Sequence, residues 1–108
     1  MLLKKGEILI KEGDKSNEIF WLLQGELVVI KMLQEREVVL NHIKEGGLVG
    51  ELSFLDQKPR SATVRALTDC QLHVLEYKDY QKMLAEQPKW MKKILITLVN
   101  KVRSLSEI

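Results

Sequence analysis

Six apolar runs, each of about five residues and each closed by a turn, fill residues 7–75. They are Glu7–Lys11, Ile19–Leu23, Glu26–Lys31, Glu37–Ile43, Thr63–Leu67 and Gln71–Leu75. Glu12-Gly13-Asp14, Gln24-Gly25, Gln34-Glu35-Arg36 and Thr68-Asp69-Cys70 separate neighbouring runs. Val, Ile and Thr are frequent in these runs, as strands favour. A doubly wound α/β fold needs crossovers of about ten or more residues between strands. The spacing leaves no room for them, so an antiparallel all-β sandwich or barrel remains. Gly13 and Gly25 fall where a strand must reverse. Phe20 and Trp21 are adjacent in one run, so one of them must point into the core and the other away.

After Leu75 the apolar period changes. Tyr77, Tyr80, Met83 and Leu84 recur at helical spacing, and Gln87-Pro88 ends or kinks that helix. Pro88 can open a second helix, because its missing N–H is not needed there. Met91, Ile94, Leu95, Leu98, Val102 and Leu105 then form a stripe flanked by Trp90 and Val99, while Lys89, Lys92, Lys93, Lys101 and Arg103 avoid it. The expected organisation is one domain over residues 1–108: a β roll over about 6–76 and helices over about 77–87 and 88–107. Packing on the β roll accounts for part of the stripe; a dimer seam or a lid over a pocket accounts for the rest.

Charge is unevenly distributed. Residues 1–77 hold 10 basic and 12 acidic side chains, net −2; residues 78–108 hold 7 and 3, net +4. A solvated helix face or docking to an acidic partner explains the basic end. The chain as a whole is only +2, too little to imply nucleic-acid binding. With 45% hydrophobic and 30% charged residues, the composition is that of a globular domain with one core. The lone Cys70 has no partner for an internal disulfide, and a cytoplasmic location is the expectation. No apolar run approaches the ~20 residues of a membrane span.

The segment Gly50-Glu51-Leu52-Ser53-Phe54-Leu55-Asp56-Gln57-Lys58-Pro59-Arg60-Ser61-Ala62-Thr63 joins two strands and concentrates the polar chemistry. Glu51 is suited to accept hydrogen bonds from a diol, and Arg60 to hold an anion through its planar fork. Ser61 and Thr63 add hydroxyls, and turn N–H groups form anion nests. Leu52 to Leu55 fits a single helical turn whose N-terminus adds positive field. The same residues also permit a plain Glu51–Arg60 salt bridge across a surface loop.

Gly50-Glu51-Leu52-Ser53 followed by Pro59-Arg60-Ser61-Ala62-Thr63 resembles the phosphate-binding cassette of the cyclic nucleotide-binding domain family, found in catabolite activator-type regulators, protein kinase regulatory subunits and gated channels. Lys5-Gly6-Glu7-Ile8, Lys11-Glu12-Gly13-Asp14 and Gln24-Gly25-Glu26-Leu27-Val28-Val29 are similar to its opening strand, turn and hairpin, so the likeness covers roughly residues 5–105. Val49 and Gly47 depart mildly from the family pattern. The resemblance implies a double-stranded β-helix, or jelly-roll-like antiparallel sandwich, with C-terminal helices. It implies a cyclic mononucleotide ligand, cAMP in preference to cGMP. Glu51 would accept the ribose 2′-hydroxyl, and Arg60 would pair with the exocyclic phosphate oxygens. The N–H groups of Leu52, Ser53 and Ala62 would complete the cradle after Gly50, and Ser61 would bond phosphate or base. Thr63 closes the motif.

A regulatory sensor, not an enzyme, is therefore expected, relaying binding through its C-terminal helices to a fused or bound effector, and the last helix offers a seam for a homodimer. Leu52 or Leu55 is the expected cassette residue to repack. Direct DNA binding by these residues is not expected. A degenerate member serving only as an interaction or dimerisation module is the alternative. A cupin-like metal enzyme would need inward His and Glu ligands on neighbouring strands. His42 and His73 lack such companions and are read as core or surface residues, and Cys70 as an incidental turn residue.

Overall fold

The computed structural model describes residues 1–106, the side chain of Ser106 excepted. Eight strands form two four-stranded antiparallel sheets. One holds β1 (Leu2–Leu3), β8 (Cys70–Leu75), β3 (Ile19–Gln24) and β6 (Leu48–Val49), in that order. The other holds β2 (Ile8–Ile10), β7 (Thr63–Ala66), β4 (Leu27–Leu33) and β5 (Arg36–Ile43). Helix α1 (Glu51–Asp56) sits between β6 and β7; α2 (Tyr77–Ala85) and α3 (Lys89–Ser106) follow β8. The fold is a β sandwich with C-terminal helices. The expected end of the last helix, at 107, lies outside the described residues.

Alternation places the core. Phe20 and Leu22 of β3 are buried while Trp21 and Leu23 are exposed, so it is Phe20 that enters the core. Trp21 sets its ring edge-on to His73 across the strand pair, at 6.4 Å between centroids. Leu22, Leu27 and Leu72 are the largest fully buried side chains. Cys70 is not an incidental turn residue. It opens β8, is buried in the core cluster, and packs so closely that a Cβ on Gly25 would lie 2.8 Å from its Sγ.

Helix α1 contacts both C-terminal helices. Phe54 of α1 is buried and meets Tyr77 of α2 edge-to-face and Tyr80 at a tilt, with centroids 5.5 and 4.9 Å away. Burial, then the neighbouring Tyr77, push the Tyr80 phenol above its usual range. Among the described side chains of α3 only Val99 is buried; Met91 and Leu95 are half-buried, and Ile94, Leu98 and Leu105 are exposed. No described helix is long and apolar enough to cross a membrane.

Candidate functional site

The site begins where β6 ends. Gly50 takes φ +89°, and a Cβ there would lie 2.7 Å from Arg60 Nη1 and 2.9 Å from the Glu18 carbonyl oxygen. Glycine is needed at this position for its backbone conformation and for space. Helix α1 follows at once, and the N–H groups of its first turn have no acceptor within the helix. Gln57 stops it in a left-handed conformation, φ 59°, while its Nε2 donates to the Phe54 carbonyl at 2.6 Å. The chain then returns through Lys58 and Pro59. Arg60 N–H donates to Asp14 O and Gly13 N–H donates to Arg60 O, each at 2.8 Å, which pins the arginine to the β2–β3 connection.

The Arg60 side chain is only 4% exposed. Its Nε donates to Ser16 Oγ at 2.7 Å, Nη1 to Gly50 O at 2.8 Å and Nη2 to Glu18 O at 2.8 Å. Those are three of the five N–H groups a guanidinium carries, so two remain. Among the described residues Arg60 forms no ion pair, and the Glu51–Arg60 bridge that loop chemistry also permits is not made. Burial pushes the guanidinium pKa down, and the carboxylates of Glu18 and Glu51 push it back up. The result is a buried cation held by neutral oxygens with part of its fork unused.

A cavity of about 210 Å³ opens beside it. Seven of the eight expected site residues border this space: Gly50, Glu51, Leu52, Ser53, Arg60, Ser61 and Ala62. The eighth, Thr63, opens β7 away from the cavity, and its Oγ1 accepts the Glu12 N–H at 3.0 Å. The rest of the lining is mostly apolar, formed by Ile10, Val29, Ile43, Leu48, Val49 and Val64, with Asn41 among them. The lining therefore combines charge and hydroxyls from the cassette with an apolar surface suited to a flat ring.

The back of α1 makes a second set of contacts. Asp56, the last residue of α1, pairs with Arg103 of α3, which donates Nε to Asp56 Oδ2 and Nη2 to Oδ1 at 3.0 Å. Arg103 Nη2 also approaches Ser53 Oγ at 3.4 Å. Burial alone would raise the Asp56 pKa, but hydrogen bonds from Arg103 and the Lys58 N–H outweigh it and hold the carboxyl below its ordinary range. A carboxylate is disfavoured at a helix C-terminus by the dipole, so the cation of α3 explains its presence. Ser16, Glu18, Asn41, Phe54, Asp56 and Arg103 all escape the sequence-based reading. Arg103 is read there with the solvated lysines, yet its side chain is only 15% exposed. Among the described residues no group of three or more His, Cys, Asp or Glu is placed to hold a metal ion.

The family model of the cyclic nucleotide-binding domain matches residues 1–87. The chain is 27% identical over 101 residues to the cAMP-activated global transcriptional regulator CRP of Escherichia coli O6:H1, covering 92% of this chain and 48% of that protein. It is 32% identical over 110 residues to the cAMP-dependent protein kinase regulatory subunit of Dictyostelium discoideum, covering all of this chain and 33% of that protein. The chain thus spans half or less of the length of these relatives. Among solved structures, the cAMP-bound form of the EAL enzyme Bd1971 superposes with a TM-score of 0.88 at 25% identity, over 97% of this chain and 28% of that one. With the cassette, its buried arginine and a family match over most of its length, the chain belongs to the cyclic nucleotide-binding domain family.

Proposed function

We propose that this domain binds a cyclic mononucleotide, cAMP in preference to cGMP, and serves as a regulatory sensor within a longer or associated protein. The observation that carries this is the Arg60 guanidinium. It is buried, ion-paired with no described carboxylate, and keeps two N–H donors beside a cavity bordered by Glu51 and Ser61. An anion with two exposed oxygens satisfies that fork, and a ribose hydroxyl donates to Glu51. A degenerate, empty module has no use for a buried cation without a counter-charge, which costs stability.

The preference for cAMP draws support from the relatives: CRP is named as cAMP-activated, and the kinase regulatory subunit as cAMP-dependent. The relay would run from α1 into the C-terminal helices through Phe54 on α2 and Asp56 on α3. The exposed apolar residues Ile94, Leu98 and Leu105 on α3 suit a homodimer seam or an effector contact.

Calorimetric titration of nucleotide-free protein with cAMP and cGMP tests the reading. Arg60→Leu should weaken binding by roughly a hundredfold or more, because it removes the charge partner of a buried anion. Glu51 is exposed, so Glu51→Gln should weaken binding without changing the melting temperature of the free protein. Binding by Arg60→Leu as tight as wild type refutes the assignment.

A further inference from the structure

Outside the cassette, the lining of the cavity contains one polar side chain, Asn41. Asn41 lies on β5 in register with Val29 of β4, two residues before Ile43, which pairs with the fully buried Leu27. Alternation therefore puts Asn41 on the inner face of its sheet, and it borders the cavity beside Val29 and Ile43. Asn is a poor strand former, so the strand itself does not favour an amide here. Stability does not explain the amide.

The amide is also oriented. The backbone N–H of His42 donates to Asn41 Oδ1 at 2.9 Å, which fixes which end is oxygen and which is NH₂. An amide oxygen has two lone pairs, so Oδ1 still accepts one more bond while Nδ2 donates. A donor beside an acceptor in one plane matches the edge of adenine that presents the 6-amino group next to N7. On guanine the same edge presents O6 and N7, two acceptors, and O6 would face the amide oxygen.

Resting on the cyclic-nucleotide reading, we infer that Asn41 is a specificity-determining residue that reads the 6-amino and N7 positions of adenine from the β5 strand bordering the cavity. The cassette fixes the sugar and phosphate; Asn41 selects the base.

The experiment compares the wild type with Asn41→Ala and Asn41→Val, titrated with cAMP, cGMP and the 3′,5′-cyclic phosphate of purine riboside, which lacks the 6-amino group. In both variants cAMP affinity should fall on the order of tenfold or more, the value of a bidentate base contact, with little change for cGMP. Purine riboside cyclic phosphate should bind wild type more weakly than cAMP, and in the variants that difference should vanish. Packing damage alone would not produce such non-additivity. Melting temperatures without nucleotide should stay near wild type, since Asn41 is exposed to the open cavity. Unchanged cAMP-to-cGMP ratios, equal losses for both nucleotides, or a wild type that prefers cGMP overturn the inference and leave nucleotide binding standing. A wild type that binds none of the three overturns both.

Discussion

Removing the Asp56–Arg103 pair should loosen α3 from the cassette by an amount set by burial. Both side chains are largely out of water, 5% exposed for Asp56 and 15% for Arg103. Asp56→Asn removes the carboxylate to which Arg103 Nε and Nη2 donate, and loss of one member of a buried pair costs about 3–5 kcal/mol in a rigid interior. Here the cost has a ceiling, because Arg103 regains water if α3 swings away from α1. The expected loss is therefore about 2 kcal/mol. The coupling energy in a double-mutant cycle with Arg103→Met should be about 1.5 kcal/mol, as for charge-assisted hydrogen bonds. Urea unfolding of wild type, both single variants and the double variant measures it. The acid limb supplies an independent check. The folded Asp56 pKa lies below its ordinary value of 3.8, so the ionised carboxylate stabilises the fold fully above that value. The contribution fades as pH falls through the lowered folded pKa, and Asp56→Asn should lack that component. A coupling energy below about 0.5 kcal/mol would place the pair with exposed ion pairs of little consequence and refute the reasoning.

Two further predictions concern backbone positions. Gly50→Ala should cost about 2–4 kcal/mol in urea unfolding, combining left-handed strain with overlap on Arg60 Nη1 and Glu18 O, and should weaken nucleotide binding by displacing Arg60. Gly46→Ala shares the φ of +89° but has open space around it, so it should cost only about 1–2 kcal/mol and spare binding. In the β4–β5 hairpin Gln34 and Glu35 have φ 51° and 65°, a turn that Asn-Gly fits best. Replacing them with Asn and Gly should raise stability by about 1 kcal/mol and the melting temperature by about 4 °C.

What the sequence reveals follows the range of the interactions involved. All six apolar runs become strands, because alternation and turn residues are local signals. β1 and β6 are missed: two residues cannot display a period, and these strands exist because Leu2–Leu3 find Gln71 and Cys70, and Leu48–Val49 find Trp21 and Phe20. The cassette is legible because Gly50 to Ala62 are contiguous and carry an unusual set of residue types. The groups that hold Arg60 are not, since Ser16 and Glu18 lie 44 and 42 residues away and one of them contributes only a carbonyl. Arg103 is hidden differently. It is one of seven cations over residues 78–108, and nothing local distinguishes the one that meets a carboxylate from those that meet water. Asn41 reads as an ordinary interruption of a strand until the register with Val29 shows which face it occupies.

Under the proposed function, a helix as short as α1 suffices to link the cavity to the C-terminal helices. Its six residues carry cavity contacts through Glu51, Leu52 and Ser53, an aromatic contact to α2 through Phe54, and the ion pair to α3 through Asp56. Of Leu52 and Leu55, the leucines expected to repack, Leu52 borders the cavity; the α1 ring that meets α2 belongs to Phe54. A helix of one and a half turns bends little, so a displacement at its first residues reaches Asp56 within about 9 Å. Ser53 lies at the junction, bordering the cavity while its hydroxyl neighbours Arg103. Under the proposed function, a phosphate that draws the start of α1 toward Arg60 changes the geometry of the Asp56–Arg103 pair. Linkage then requires the reverse: a change in that pair alters nucleotide affinity by the same free energy. Asp56→Asn should therefore shift the cAMP affinity although Asp56 does not border the cavity, whereas Glu37→Gln, on a distant exposed ion pair of β5, should not. Equal affinities in wild type and Asp56→Asn would confine the effect of binding to the pocket and remove α3 from the relay.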